Sequence, residues 1–187
     1  MIITISGKPG SGKSTVAARL AADLGYKRYY IGGMRRQAAK ERGMTLEEFN
    51  KLGETDPATD HGFDAMVEKL GATEDDFIIE GRLAWHFIPQ SLKIFIDVSA
   101  EEGARRIWGA LEKNSQADRN EGRALKSYED VLASIRKRVE SDTRRYEKYY
   151  GLEIFDPSHY DLFLDATPLN PEHEYRAVFS FVKKRLK

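Results

Sequence analysis

The stretch that most constrains this chain is "GKPGSGKST", Gly7 to Thr15, which follows directly on "MIITIS". Four of its nine residues are Gly or Pro, and it ends on a lysine and two hydroxyl residues. Such a run has too few side chains to pack as a strand or helix, so its backbone must be what it contributes. Gly7 to Ser14 satisfies G-x-x-x-x-G-K-[ST]. Glycines let the backbone curl so that several N–H groups converge, and a following helix adds its positive N-terminal end. Gly7, Lys8, Pro9, Gly10, Ser11, Gly12, Lys13, Ser14 and Thr15 are therefore candidate polyphosphate-binding residues. Lys13 reaches the terminal phosphates and the Ser14 hydroxyl is the candidate Mg²⁺ ligand. The alternative is a glycine-rich turn with no ligand, and the strand–loop–helix context argues against it.

That context comes from the hydrophobic pattern. "IITIS" is short and β-branched and stops at glycine, as a buried strand does. From Lys13, Val16, Leu20 and Leu24 recur at helical spacing, and Gly25 is a natural stop. "YKRYYI" reads as a weaker strand, followed by helices at about 34–42, from Thr45 (a capping box with Glu48) and at about 57–70. "DFIIEGR" and "LKIFIDV" are two further buried strands, and Ser99 with Glu102 caps the next helix. Residues 113–127 carry few apolar groups and read as an exposed flap. A long helix over 128–150, the strand "YDLFLDA" and a helix beginning at Pro171 complete the chain. Strands alternating with helices predict an α/β fold with a parallel sheet, and ligands bind beyond the carboxyl ends of such strands. Gly7, Gly32, Glu80, Arg82 and Asp97 all fall there.

Composition narrows the class of partner. Thirty basic residues balance thirty acidic ones, which disfavours a general nucleic-acid binder. The absence of cysteine excludes disulfides and zinc–thiolate sites. No apolar run is long enough to span a membrane, and no targeting segment is visible at the N-terminus, so a cytoplasmic monomer is the expectation. His61, His86, His159 and His173 lack metal-ligand spacing. Trp85 and Trp108 read as core.

Within this neutral chain the arginines are uneven. Residues 105–148 hold twelve basic against eight acidic residues. Transfer of a phosphoryl group between two anions calls for such charge, because arginine forks neutralise phosphate oxygens. On the long helix Tyr128, Val131, Leu132, Ile135, Val139 and Tyr146 form one apolar face, while Arg138, Asp142 and Arg145 stand together on its border. Border charges either line a cleft or snorkel over the core edge, and an acid between two arginines favours the cleft. Arg119 and Arg123 lie in the flap, where closure would bring them to a bound polyphosphate; a solvated loop is the alternative. Arg36 and Arg82 lie on the ligand-binding edge. Glu80 has two readings, one as an orienting group for metal-bound water or an arginine and the other as a buried ion-pair partner.

Taken together, these segments resemble the nucleoside monophosphate kinase family, and within it the archaeal type of cytidylate kinase. "MIITISGKPGSGKSTVA" is similar to that type's opening. "GGMRRQAAKERGMTLEEFNKL" resembles its acceptor-binding segment, with Arg36 matching the arginine that holds the monophosphate. "IIEGRLAW" resembles its Asp-Gly-Arg element, with Gly81 and Arg82 at the acceptor phosphate. "RKRVESDTRRYEKYYG" matches an R-x-x-x-D-x-x-R pattern through Arg138, Asp142 and Arg145. The resemblance implies one P-loop kinase domain over 1–187, with a five-stranded parallel sheet in the order 2-3-1-4-5. It also implies an acceptor-binding insertion near 33–72 and a lid near 113–127. The implied reaction is phosphorylation of CMP or dCMP by ATP with Mg²⁺. Lys13, Arg119, Arg123 and Arg138 would be catalytic, and Arg36, Gly81, Arg82, Arg138, Asp142 and Arg145 would bind the acceptor. Three positions depart from the pattern: Tyr30 stands where a hydroxyl residue is usual, Gly33 where an acid is usual, and Glu80 replaces aspartate. AMP, UMP or a non-nucleotide acceptor stay open on the sequence, as does a regulatory nucleotide-binding module.

Overall fold

The computed structural model describes residues 1–113 and 125–186. Five parallel strands form one sheet: β1 (Ile2–Gly7), β2 (Lys27–Tyr30), β3 (Phe77–Glu80), β4 (Leu92–Asp97) and β5 (Leu162–Asp165), in the order β2-β3-β1-β4-β5. This is the expected order. The central position of β1 follows from its composition, because every residue from Ile2 to Gly7 is buried and only an inner strand covered on both faces can be so. Tyr30 pairs with Glu80, and Asp97 with Asp165, so the carboxyl ends of the strands share one edge.

Helix α1 (Lys13–Leu24) and helix α8 (Pro171–Lys183) cover one face of the sheet. There Ile3, Ile5, Ile78, Ile94 and Ile96 meet Val16, Leu20, Val178 and Val182. Gly25 ends α1 in the left-handed conformation. On the other face, Ile2, Phe77 and Ile79 pack with residues of α2 (Ile31–Glu41) and α4 (Ala58–Thr73) and with Ile88, beyond the short helix α5 (Ala84–Phe87). Between α2 and α4 lies α3 (Leu46–Gly53), opened by the expected Thr45–Glu48 capping box. Helix α6 (Ala100–Glu112) starts at Ser99, whose side chain accepts from the Glu102 amide. It packs against the first half of α7 (Tyr128–Tyr150) through Ala104, Ile107, Val131 and Ile135. Trp85 is buried as expected, stacked on His159, and Trp108 is half-buried against α7.

Three local readings need correction. Helix α2 begins at Ile31 rather than Met34, directly on the end of β2. Gly32 and Gly33 look like loop residues but are helical, and the Tyr30 ring occupies the side where a Gly33 β-carbon would lie, 2.7 Å from Cδ1. Helix α4 runs past Leu70 to Thr73 because Gly71 faces Ile88 and the helix continues over it. Helix α7 does not bury one continuous face. Its first half packs on α6 through Val131 and Ile135, whereas its second half buries Ser141, Asp142, Arg145 and Tyr146. Its outer edge is tied to the end of α3, where Ser141 Oγ and Arg144 Nη2 donate to Glu54 Oε1 at 2.6 and 3.2 Å. Among the described residues, no helix is long and apolar enough to cross a membrane.

Candidate active site

A cavity of about 680 Å³ opens over the carboxyl edge of the sheet. Its floor is the loop between β1 and α1. Gly10 and Gly12 have φ of 79° and 85°, which curls the loop back on itself. Gly10 also approaches Gly103 of α6 so closely that a β-carbon on Gly103 would stand 2.6 Å from the Pro9 carbonyl oxygen. Pro9, Gly10, Gly12, Lys13, Ser14 and Thr15 line the cavity. Gly7, Lys8 and Ser11 do not. Gly7 closes β1 beneath the loop, Lys8 turns away to an ion pair with Asp97 at 2.8 Å, and Ser11 is fully buried. Lys13 Nζ donates to the Lys8 carbonyl at 3.2 Å, across the mouth of the loop.

Arg36, Gly81, Arg82, Arg138, Asp142 and Arg145 all reach the cavity wall, from three separate parts of the chain: α2, the turn after β3, and α7. The Gly81–Arg82 turn is anchored to β1: Ser6 Oγ donates to the Gly81 carbonyl at 2.6 Å, and Trp85 Nε1 to the Arg82 carbonyl at 3.0 Å. Arg82 then joins two distant parts of the chain. Its Nε donates to Asp142 Oδ2 at 2.8 Å and its Nη1 to the Gly7 carbonyl. Arg119 and Arg123 lie outside the described residues.

Asp142 and Arg145 are not border residues; they are among the most deeply buried charges in the protein. Arg145 Nη2 donates to Asp142 Oδ1 at 3.0 Å and to the Tyr146 hydroxyl oxygen at 2.9 Å, and its Nε lies 3.2 Å from Asp60 Oδ2. Asp60 is bound in turn by Arg35, which also donates to Asn50 Oδ1 at 3.2 Å. The result is a row of alternating charges, Arg35–Asp60–Arg145–Asp142–Arg82, running from α2 and α4 to the phosphate loop. Burial alone would raise the Asp142 carboxyl, but Arg82, Arg145 and Arg138 outweigh it and hold it at about 2.

Glu80 is fully buried and pairs with Arg28, its Oε1 lying 2.6 Å from Nε. This is the ion-pair reading, although Glu80 also touches the cavity. Tyr30 lies between Arg28 and Arg36, whose guanidinium carbons are 5.3 and 5.8 Å from its ring, and its hydroxyl accepts from Arg36 Nη1 at 2.7 Å.

Several wall residues were not singled out by the sequence. Arg35 stands beside Arg36, and nothing in the pattern says which of the two turns inward. Asn50, Asp60 and Asp64 sit on helices whose spacing looks solvated. Arg106 of α6 donates to the carbonyls of Ala166 and Leu169 at 2.6 and 3.0 Å, after β5. Glu174 of α8 lies against the phosphate loop, where a β-carbon on Gly12 would be 2.5 Å from Oε1. Burial pushes its carboxyl up to about 7, with Arg106 and Lys13 pulling the other way. Among the described residues, no group of three or more His, Asp or Glu could hold a metal ion. The Ser14 hydroxyl reaches the cavity and is an oxygen donor of the kind a small hard cation takes.

The sequence model of the cytidylate kinase-like family matches residues 2–168. The chain is 41% identical over 166 residues to a cytidylate kinase of Methanothrix thermoacetophila, covering 89% of this chain and 88% of that one. It is 38% identical over 184 residues to a cytidylate kinase of Pyrococcus abyssi, covering 98% and 92%. In three dimensions it is similar to a shikimate kinase from Bacteroides thetaiotaomicron, with a TM-score of 0.61 at 13% identity and 98% of each chain covered. At that identity the likeness is one of fold.

Proposed function

The chain belongs to the cytidylate kinase-like family, and we propose that it moves the γ-phosphoryl group of ATP to CMP or dCMP. The observation that carries this reading is the cavity itself, which joins a glycine-curled phosphate loop to a separate arginine-rich wall over one sheet edge. One cradle suits a donor polyphosphate and the other a second phosphate.

In this mechanism Lys13 and the loop hold the β- and γ-phosphates of ATP. The loop fits Mg²⁺ through the Ser14 hydroxyl, and the bound ion would neutralise charge on the polyphosphate. Arg36, Arg82 and Arg138 hold the acceptor phosphate, with Arg145 and Asp142 fixing Arg82 from behind. Gly81 gives the turn that brings Arg82 to the edge. An oxygen of the acceptor phosphate attacks the γ-phosphorus as its bond to the β-phosphate oxygen breaks, giving a nucleoside diphosphate and ADP. No strong base is needed, because a phosphate monoester with a second pKa of about 6 is already an anionic nucleophile. Catalysis is positioning plus charge neutralisation. Arg119 and Arg123 are proposed to add charge from a lid near 113–127, and α2–α4 to form the acceptor-binding insertion near 33–72. Leu186 is the one exposed large hydrophobic residue among those described, which supports action as a monomer.

The test is ADP release from Mg·ATP with CMP, dCMP, UMP, AMP and GMP supplied singly. Turnover with CMP or dCMP that Arg36→Ala abolishes is the expected result. ATP binding without turnover on any monophosphate would overturn the reading in favour of a non-nucleotide acceptor or a regulatory module.

A further inference from the structure

The arginines described above read phosphates, and phosphates do not distinguish one base from another. Among the described residues, the wall contains one acid that pairs with no arginine. Asp64 lies on α4 one turn beyond Asp60 and faces the cavity with Phe63, Val67 and Phe87. Asp60 is taken by Arg35 and Arg145, and Asp142 by Arg82 and Arg145. Asp64 makes no ion pair with any described residue; its one hydrogen bond is accepted at Oδ2 from the hydroxyl of Tyr150, at the end of α7. Tyr150 is itself set in an aromatic wall, its ring 5.9 Å from Phe87 and 6.1 Å from Tyr146. The carboxylate is therefore held in orientation at one oxygen, while the other has no donor among the described residues. Burial pushes the carboxyl up, opposed by Tyr150, Arg35 and His61 and assisted by Asp60. A ligand that brought an N–H donor would relieve that burden.

An ionised carboxylate only accepts hydrogen bonds. Set in an apolar wall at the acceptor end of the cavity, it suits a flat ring edge that carries an amino group and rejects one that carries a carbonyl oxygen. Cytosine presents an exocyclic amine where uracil presents an oxygen. We propose that Asp64, oriented by Tyr150, is the specificity-determining residue that reads the exocyclic amino group of the acceptor base. This inference rests on the cytidylate kinase reading and adds to it a cause for preferring cytosine over uracil.

The test compares kcat/KM for CMP and UMP in the wild type, Asp64→Asn and Tyr150→Phe, with thermal unfolding as a check on folding. In Asp64→Asn the amide oxygen can still accept from Tyr150 while its NH₂ faces the base. The CMP:UMP ratio should fall by about 10- to 100-fold, the worth of one hydrogen bond to a charged group, chiefly through KM. Tyr150→Phe frees the carboxylate and should raise KM for CMP several-fold with kcat retained; it serves alone if Asp64→Asn does not fold. A wild type that prefers CMP and keeps that preference undiminished in the folded variants overturns this inference alone. A wild type that phosphorylates no nucleoside monophosphate overturns the kinase reading and this inference with it.

Discussion

Arg82 and Asp142, sixty residues apart in sequence, meet at 2.8 Å between Nε and Oδ2, and the same guanidinium donates to the carbonyl of Gly7. Arg82 is thus tied both to the long helix and to the base of the phosphate loop.

Replacing Asp142 by Asn removes the charge that Arg82 and Arg145 share. Losing one member of a buried ion pair costs about 3–5 kcal/mol, so denaturant unfolding should show a loss of that order, with kcat/KM falling alongside. Acid should act through the same group. The Asp142 carboxyl lies at about 2 in the fold against 3.8 ordinarily. Its lowered value means that the stabilisation is complete above about 3.8 and is lost as pH falls through about 2. The Asn variant should lack that component of acid unfolding.

Glu174 has the opposite sign. Its carboxyl titrates near 7 in the fold and at 4.5 ordinarily. The folded chain therefore holds an extra proton between those values. The associated stability is complete below about 4.5 and is lost as pH rises through about 7. Thermal unfolding from pH 5 to 8 should show the wild type declining relative to Glu174→Gln. A polyphosphate beside the carboxylate would raise it further, so ATP affinity should weaken as pH rises through 7 and Glu174→Gln should flatten that dependence. Titration calorimetry in buffers of different ionisation enthalpy would detect the proton taken up by the wild type.

The Tyr30 hydroxyl accepts from Arg36 Nη1 at 2.7 Å. Tyr30→Phe removes that anchor and little else. KM for the acceptor should rise several-fold while kcat and KM for ATP stay near wild type, a split readable from steady-state kinetics with each substrate varied in turn. A loss of kcat in equal measure would instead assign Tyr30 to the transfer step.

Gly103 and Gly109 lie on the same helix and should respond oppositely to alanine. Alanine favours a helix interior over glycine by about 1 kcal/mol. At Gly109 no atom of a described residue stands within 4 Å of the new β-carbon, so the variant should gain stability. At Gly103 the β-carbon would meet the Pro9 carbonyl oxygen at 2.6 Å, and overpacking of this kind costs about 1–3 kcal/mol. Gly103→Ala should lower the melting temperature and weaken ATP binding, because the atom displaced belongs to the phosphate loop.

The inner strands were legible because β1, β3 and β4 are short runs rich in isoleucine that stop at glycine or a charge, and because one motif fixes which strand carries the phosphate loop. The arginines were legible where they follow strand ends, as Arg82 does. Their acidic partners were not. Asp60, Asp64 and Glu174 sit on helices at positions that periodicity assigns to solvent, and only the docking of those helices turns them inward. Asp142 and Arg145 were found but placed on a border, since a helical wheel assumes one neighbour along its whole length. Helix α7 has two, α6 for its first half and the cavity wall for its second.

The residue that closes over Gly12 arrives on α8, the last helix of the fold, and β1 finds its two sheet neighbours only in β3 and β4. A ribosome therefore delivers the phosphate loop well before the helix that packs against it. Through most of synthesis the nascent chain carries an anion cradle without Glu174 against it and without Arg106 fixed by the carbonyls after β5. The contact between the phosphate loop and α8 therefore joins segments made far apart in time, and it forms only once α8 has been made.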